Sequence, residues 1–254
     1  MREIDTLLAE HGEANVALVV SMSGGKDSCA MLAYLHDRYP QVETHVVHAD
    51  TGFEHIKPIS AEAFARQVTE SLGYTLAVVR NPNKTYLEMV ERRGMFPAMS
   101  MRQCTSDLKR GPIEVYLRNH CQAKVIVNCI GIRADESTAR SKQTPWKLNT
   151  KLSKAGRLVY DAMPIFTMTT EQVYADLATR SIPLHPVYRR AGGYLDRLSC
   201  RVCIFFSPSD LAATQVHDNE AFELIAALED RLGHTMSPHG SVRALAARAL
   251  PVLD

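Results

Sequence analysis

Asn15-Val16-Ala17-Leu18-Val19-Val20 runs directly into Ser21-Met22-Ser23-Gly24-Gly25-Lys26-Asp27-Ser28, and that octet into an amphipathic stretch halted by Pro40. The first segment is short, apolar and rich in β-branched residues, which reads as a buried strand. From Lys26 to Tyr39 the apolar positions Cys29, Leu32, Ala33 and Leu35 recur at helical spacing. A strand that hands over to a helix through two glycines is half of a β–α–β unit. The pattern then repeats outward. Val42–His48 predicts a second strand, Ile59–Leu72 a helix ended by Gly73, and Thr75–Val79 a third strand. Leu108–His120 predicts a helix and Lys124–Ile132 a fourth strand. Leu158–Ile165 reads as a fifth strand, Thr170–Thr179 as a helix, and Ser209–Leu232 with Ser241–Leu250 as a helical end. Strands alternating with helices predict an α/β fold: a doubly wound, mostly parallel sheet with a helical C-terminal lobe. The expected division is a sheet domain over 1–205 and the lobe over 206–254.

The 254 residues, 46% apolar and 22% charged, exclude a disordered chain or a fibre. No apolar run approaches the ~18 residues of a membrane span, and acids stand where a secretory leader carries basic residues, so the expected location is cytoplasmic. The six cysteines are then expected to be reduced, buried or metal-bound. The formal net charge of +1 conceals an asymmetry. Residues 80–160 hold sixteen Lys/Arg against six Asp/Glu, whereas both flanking segments are acidic. A basic middle third points to phosphates, either of a nucleotide or of a nucleic-acid backbone, with a solvated basic face as the plain alternative.

In the octet, Gly24 and Gly25 let the backbone turn tightly and approach a ligand. The N–H groups of the helix start then face an anion. Ser21, Ser23 and Ser28 add hydroxyls, and Lys26 adds a point charge suited to phosphate oxygens. The lysine directly follows two adjacent glycines, so this is not the Walker arrangement. The octet resembles the S-x-S-G-G-K-D-S signature of the PP-loop enzymes, the adenine nucleotide α-hydrolase superfamily with a HUP-like fold. The resemblance implies cleavage of ATP between its α and β phosphates, with Mg²⁺ as companion ion.

Further segments narrow the branch. Gly131-Ile132-Arg133-Ala134-Asp135-Glu136-Ser137, followed by Arg140, is similar to the G-x-R-x-x-E-S-x-x-R segment of the phosphoadenylyl-sulfate (PAPS) reductase-like branch. His48-Ala49-Asp50-Thr51-Gly52 resembles the stretch that meets adenine and ribose. Ile182–Tyr188 and Cys200-Arg201-Val202-Cys203 resemble later family segments. The resemblance implies nucleotide contacts from Ser21, Ser23, Gly24, Gly25, Lys26, Asp27, Ser28, His48, Asp50, Thr51, Gly131, Arg133, Ser137 and Arg140. Lys26, Asp27, Arg133 and Glu136 would be catalytic. Arg133 and Arg140 would offer planar forks to phosphate or sulfate oxygens. Glu136 would orient a cation or bind Mg²⁺. Asp27 and Asp50 would meet magnesium or ribose, although Asp50 before Gly52 equally suits a turn.

Cys29 and Cys129 lie on apolar segments and read as structural thiols. Cys104 sits in a basic polar loop, and Cys200 and Cys203 form a C-x-x-C pair. Family members with cysteines at similar positions hold a [4Fe–4S] cluster, with a double cysteine at the first site. Here Gln103 occupies one of those two positions, which leaves three ligands. Three alternatives stand open: a cluster with one open iron, zinc with His185 as fourth ligand, or no metal. Arg102, Arg201 and Lys109 are expected to lower the thiol pKa values.

No cysteine follows Cys203 among these residues, so the C-terminal nucleophile of the family's reductases has no counterpart here. The leading expectation is an enzyme that adenylylates a nucleotide, tRNA or DNA substrate for sulfur or nucleophile transfer, with a sulfur-donor protein as a partner. Its rivals are a sulfonucleotide reductase and a non-catalytic nucleotide-binding module.

Overall fold

The computed structural model describes residues 2–55 and 57–249. Its six strands are β1 (Val16–Ser21), β2 (Glu43–Asp50), β3 (Leu76–Arg80), β4 (Val125–Cys129), β5 (Trp146–Leu148) and β6 (Leu158–Ala162). They lie in the order β3-β2-β1-β4-β6-β5. β1 pairs in parallel with β2 and β4, and β4 with β6. Only β5 is shown running antiparallel, against β6. The fold is the expected α/β class with flanking helices.

Burial explains the strand choice. Val16–Val20 are fully buried, so both faces of β1 are covered, which is how a central parallel strand comes to be continuously apolar. Ala17 and Val19 cluster with Val47, Ile126, Val159 and Leu117, while Leu18 and Val20 turn to the other face. Each such Val or Leu contributes roughly 1.5–3 kcal/mol on burial. The order matters for function. β1 has β2 on one side and β4 on the other, so the strand order reverses there, and sheets of this kind take ligands at the carboxyl ends of the strands flanking such a point.

The first compact unit comprises residues 1–49, 62–79 and 112–184. Its helices are α1 (Arg2–His11), α2 (Lys26–Arg38), α3 (Ala61–Ser71, starting at the boundary), and the later helices described next. The second unit comprises residues 50–61, 80–111 and 185–254, and contains α4 (Tyr86–Arg93) and α5 (Gln103–Thr105). α6 (Gly111–His120), α7 (Thr138–Ser141) and α8 (Thr170–Thr179) belong mainly to the first unit; α9 (Pro208–His217), α10 (Asn219–Leu232) and α11 (Val242–Ala247) belong to the second. Phe53, Tyr86, Phe96, Leu108, Val202, Leu211 and Phe222 pack into one core there. The C-terminal helices thus share a core with two earlier loops.

Several boundaries differ from expectation for local reasons. Ser209–Leu232 is two helices, broken at Asp218 (φ −141°, ψ 59°), whose carboxylate binds Arg201 through both oxygens. The helix before β4 begins at Gly111, preceded by a wide turn over Ser106–Arg110. β4 stops at Cys129, because Gly131 must press against the start of α2. α1 and the three-residue β5 carry too few periodic positions to be read. The final helix ends at Ala247; its expected end at Leu250 lies outside the described residues.

Candidate functional site

The octet follows β1 at the reversal point. Gly24 takes φ +76°, which a side chain would resist. Ser28 Oγ accepts from the Ser23 N–H (3.2 Å), donates to the Gly25 carbonyl (2.9 Å) and lies 3.1 Å from Ser23 Oγ. Ser23 Oγ also accepts from the Gly25 N–H at 3.3 Å. The two serines therefore fold the loop on itself. Gly25 is the N-cap of α2 and supplies no side-chain acceptor. The first turn of a helix has no intrahelical partners for its N–H groups, so this end suits an anion by roughly 0.3–1 kcal/mol per charge, more when enclosed.

The charges meet just inside. Lys26 Nζ lies 2.8 Å from Asp27 Oδ2 and 5.9 Å from the centre of the Tyr174 ring. Arg133 Nε donates to Asp27 Oδ1 at 2.6 Å. Asp27 thus sits between two cations, one through each of its oxygens. Gly131 allows this closeness: a Cβ there would lie 3.2 Å from the Asp27 carbonyl carbon and oxygen and 3.3 Å from Ser28 N.

Arg133 departs from its expected role. It is 1% exposed, and its guanidinium also donates to Asp135 Oδ2 (3.3 Å), the Met168 carbonyl (3.1 Å) and Thr170 Oγ1 (3.1 Å). Its fork is spent on the protein. Arg133 therefore ties the β4 exit to the starts of α2 and α8. Asp135 completes the tie by accepting from the Thr170 N–H and Oγ1, both at 2.8 Å. Those two bonds, with Arg133, hold the Asp135 carboxyl below the ordinary carboxylate range. Sequence reasoning missed Asp135 and Thr170; the only available signal was the helix-start pattern Thr169-Thr170-Glu171-Gln172.

Glu136 accepts from the Arg133 N–H at 2.9 Å and pairs with Arg140. Ser137 caps α7 by accepting from the Arg140 N–H at 3.2 Å. Ser21 ends β1, half-buried. His48 is buried, and its Nδ1 lies 2.8 Å from the Met22 carbonyl, so Nδ1 carries the proton. Its Nε2 is then a buried acceptor with no partner among the described residues.

Asp50 and Thr51 fall in the second unit. Asp50 accepts from the Gly52 N–H (2.7 Å) and from Arg80 (2.7 Å), which is the turn role. Thr51 donates to Glu54 at 3.0 Å. Asp27, Asp50 and Glu136, the carboxylates expected to meet Mg²⁺, are thus all committed to cations or N–H groups. The described residues offer no preformed carboxylate site for that ion.

In the second unit the three singled-out cysteines share one electrostatic neighbourhood. Burial, then Glu54, push the Cys200 thiol well above its ordinary value; Lys109 opposes, and Cys203 and Cys104 add to the rise. Burial also raises Cys203, against a backbone hydrogen bond at Phe205 and the charges of Arg197 and Lys109. The buried Tyr86 hydroxyl, without a hydrogen-bond partner among the described residues, is raised by burial and then by all three thiols. Cys200 Sγ lies 3.9 Å from Glu54 Oε1, which also takes Lys109 Nζ at 3.0 Å. The basic neighbours therefore do not win: Arg201 is spent on Asp218 and Glu220, and burial dominates. Lys109 was expected beside the thiols, whereas Glu54 and Tyr86 carried no signal in the sequence.

Three soft thiols in a partly apolar setting have the donor chemistry for an iron–sulfur cluster or zinc. A bound cation would offset the burial that raises the Cys200 and Cys203 thiols. They do not stand in ligating geometry, since no group of three or more His, Cys, Asp or Glu among the described residues does. His185 does not complete a zinc set. Its Nε2 donates to the Ile59 carbonyl (3.0 Å), its Nδ1 accepts from the Val187 N–H (3.1 Å), and burial pushes its pKa down to about 4. Gln103 bridges Arg93 and Asp107 at 3.0 Å each. Cys29 and Cys129 are buried structural thiols, Cys29 pushed up to about 12 by burial.

Comparison with known proteins agrees with the fold and with the motifs. An uncharacterized 37.8 kDa protein of Escherichia phage 186 is 26% identical, covering 76% of this chain and 69% of that one. The U34-tRNA thiolase NcsA of Methanococcus maripaludis, solved with its [4Fe–4S] cluster, shares the fold at 16% identity and a TM-score of 0.51, over 91% of this chain and 78% of that one. A phosphoadenylyl-sulfate reductase from Candida auris, in a phosphate complex, gives 14% identity and a TM-score of 0.48 over 72% of this chain and 80% of that one. The phosphoadenosine phosphosulfate reductase domain matches residues 17–239, and the chain accordingly belongs to that family, in the PAPS reductase-like branch of the PP-loop superfamily.

Proposed function

We propose that this chain is an ATP-using enzyme that adenylylates an oxygen of a nucleotide or nucleic-acid substrate, preparing that position for sulfur or another nucleophile. The observation that carries the reading is an uncapped helix start with Lys26 in its first turn, pinned by Asp27 and Arg133 at the point where the strand order reverses. A substrate oxygen attacks the α-phosphorus, the bond between that phosphorus and the bridging oxygen breaks, and pyrophosphate leaves. The α2 start and Lys26 stabilise the charge that develops on the departing oxygens. Arg133 keeps Asp27, and through it Lys26, in place. His48 Nε2 offers an acceptor to a ribose hydroxyl or an exocyclic amine.

Cys104, Cys200 and Cys203 would hold a [4Fe–4S] cluster, which supplies an iron without a cysteine ligand for a sulfur donor. The thiolase that shares this fold carries such a cluster, which supports the reading. No described helix is long and apolar enough to cross a membrane, in keeping with a substrate met in solution.

The test is pyrophosphate and AMP release from ATP with tRNA or single-stranded DNA present. Lys26→Ala should weaken ATP binding at least tenfold, about 1.4 kcal/mol. Unchanged affinity by calorimetry would remove the phosphate-loop reading. Sulfite release from a sulfonucleotide would favour a reductase instead, and saturable ATP binding without pyrophosphate a non-catalytic module.

A further inference from the structure

Two arginines of the second unit stack on one exposed aromatic ring. The guanidinium carbons of Arg102 and Arg197 lie 5.5 and 5.6 Å from the centre of the Phe205 ring. Phe205 is 36% exposed, which is unusual for a phenylalanine with a core next to it. Neither arginine pairs with a carboxylate among the described residues, in contrast to Arg189, Arg201, Arg231 and Arg243 of the same unit. Their charge is therefore uncompensated. A guanidinium stacked on a ring keeps its in-plane N–H edge available, and that edge matches phosphate oxygens two at a time. The approach to Arg102 carries Met99 and Met101, 52% and 61% exposed, whose thioethers add soft apolar surface.

We propose that Arg102, Arg197 and Phe205 bind an unpaired stretch of nucleic acid, the arginines taking backbone phosphates and the exposed aromatic and methionine surface taking bases. Cation and aromatic interleaved at one place is the recognition chemistry of single strands. A duplex hides its bases and offers phosphates alone. Residues 80–111 of the same unit hold seven Lys/Arg against three Asp/Glu, the same sign of charge. The platform also adjoins the thiols: Arg197 acts electrostatically on Cys203, Phe205 follows it by two positions, and Arg102 precedes Cys104 by two. A base held there would lie beside the sulfur chemistry. This deepens the proposed function by naming its substrate class, and its role in that reaction rests on that reading.

The experiment is fluorescence anisotropy on the full chain with labelled single-stranded RNA and DNA of about 12 nucleotides, within the span such sites cover. Binding should fall steeply with salt between about 50 and 200 mM. The double variant Arg102→Gln/Arg197→Gln should reduce the steepness of log affinity against log salt by about 1.4, or ~0.7 for each lost phosphate contact. Phe205→Leu should weaken binding about tenfold with the slope unchanged, and Phe205→Tyr should restore it. Circular dichroism melts confirm that each variant folds. A preference for the RNA or the DNA oligonucleotide identifies the source of the strand. The proposal is overturned if neither oligonucleotide binds at low salt, or if both variants bind as the parent does. Equal displacement by polyglutamate would overturn it as well, since that marks a general anion surface. The two readings separate cleanly: pyrophosphate release without oligonucleotide binding removes this site alone, and oligonucleotide binding without ATP affinity removes the enzyme alone.

Discussion

Replacing Arg133 with lysine separates a structural tie from a ligand contact. The arginine makes four hydrogen bonds, to Asp27, Asp135, the Met168 carbonyl and Thr170, over two ends of a planar group that is 1% exposed. A lysine ammonium is a point donor on a narrower head and can serve one end only. If it keeps Asp27, the Asp135, Met168 and Thr170 contacts go, each at most about 1.5–3 kcal/mol as a bond to a charged donor and less where the partner keeps another bond. Thr170 Oγ1 still bonds Asp135, so that oxygen is not orphaned. The net cost is then about 3 kcal/mol, or roughly 6–12 °C in melting temperature for a chain of this size. Arg133→Met should cost more, about 3–5 kcal/mol, because it strands part of the Asp27 charge. Asp27 retains Lys26 in the lysine variant, so ATP affinity should drop by less than tenfold. Urea unfolding and calorimetric ATP titration measure both quantities. An Arg133→Lys protein of parental stability that has lost ATP binding would refute the structural account. Its fork would then belong to the nucleotide.

Gly131→Ala should destabilise by about 1–3 kcal/mol and weaken ATP binding, because the new Cβ meets backbone of Asp27 and Ser28 rather than a side chain that can yield; a melt and a titration unchanged from the parent would contradict the close approach. His185, neutral and buried with its pKa pushed down to about 4 against an ordinary 6.5, contributes stability that is complete above pH 6.5 and lost as pH falls toward 4. The loss is at most about 3 kcal/mol, with burial giving His55 the same sign, and His185→Gln should flatten the urea midpoint over that interval; an equally steep profile in the variant would place the acid sensitivity elsewhere. Anaerobic reconstitution with iron and sulfide should turn the parent brown, and Cys104→Ser, Cys200→Ser or Cys203→Ser should each abolish the colour. Colourless parent protein with stoichiometric zinc would keep the site and replace the cluster.

What the sequence made legible was whatever one strand or one turn decides alone. Val16–Val20 could only be a buried strand, and two glycines before Lys26 could only be a turn at a helix start. The α/β class followed, because a chain of alternating strands and helices has few ways to cover both faces of a sheet. Boundaries set by distant partners were not legible. Asp218 breaks the long C-terminal helix in order to hold Arg201, seventeen positions earlier, and nothing near Asp218 announces it. The same limit applies to the site. Sequence identifies Arg133 as a cation near phosphates, but its use depends on Asp27, more than a hundred residues upstream, and on Thr170, well downstream. A planar, permanently charged group with five donors serves equally well to grip a ligand or to pin three chain segments together. Burial decides between them, and burial is a property of the fold. At Phe205 the decision goes the other way: among the described residues Arg102 and Arg197 have no carboxylate partner and lie beside an exposed ring. A cation the fold has satisfied stabilises the fold, and one it has left unsatisfied is available to a partner.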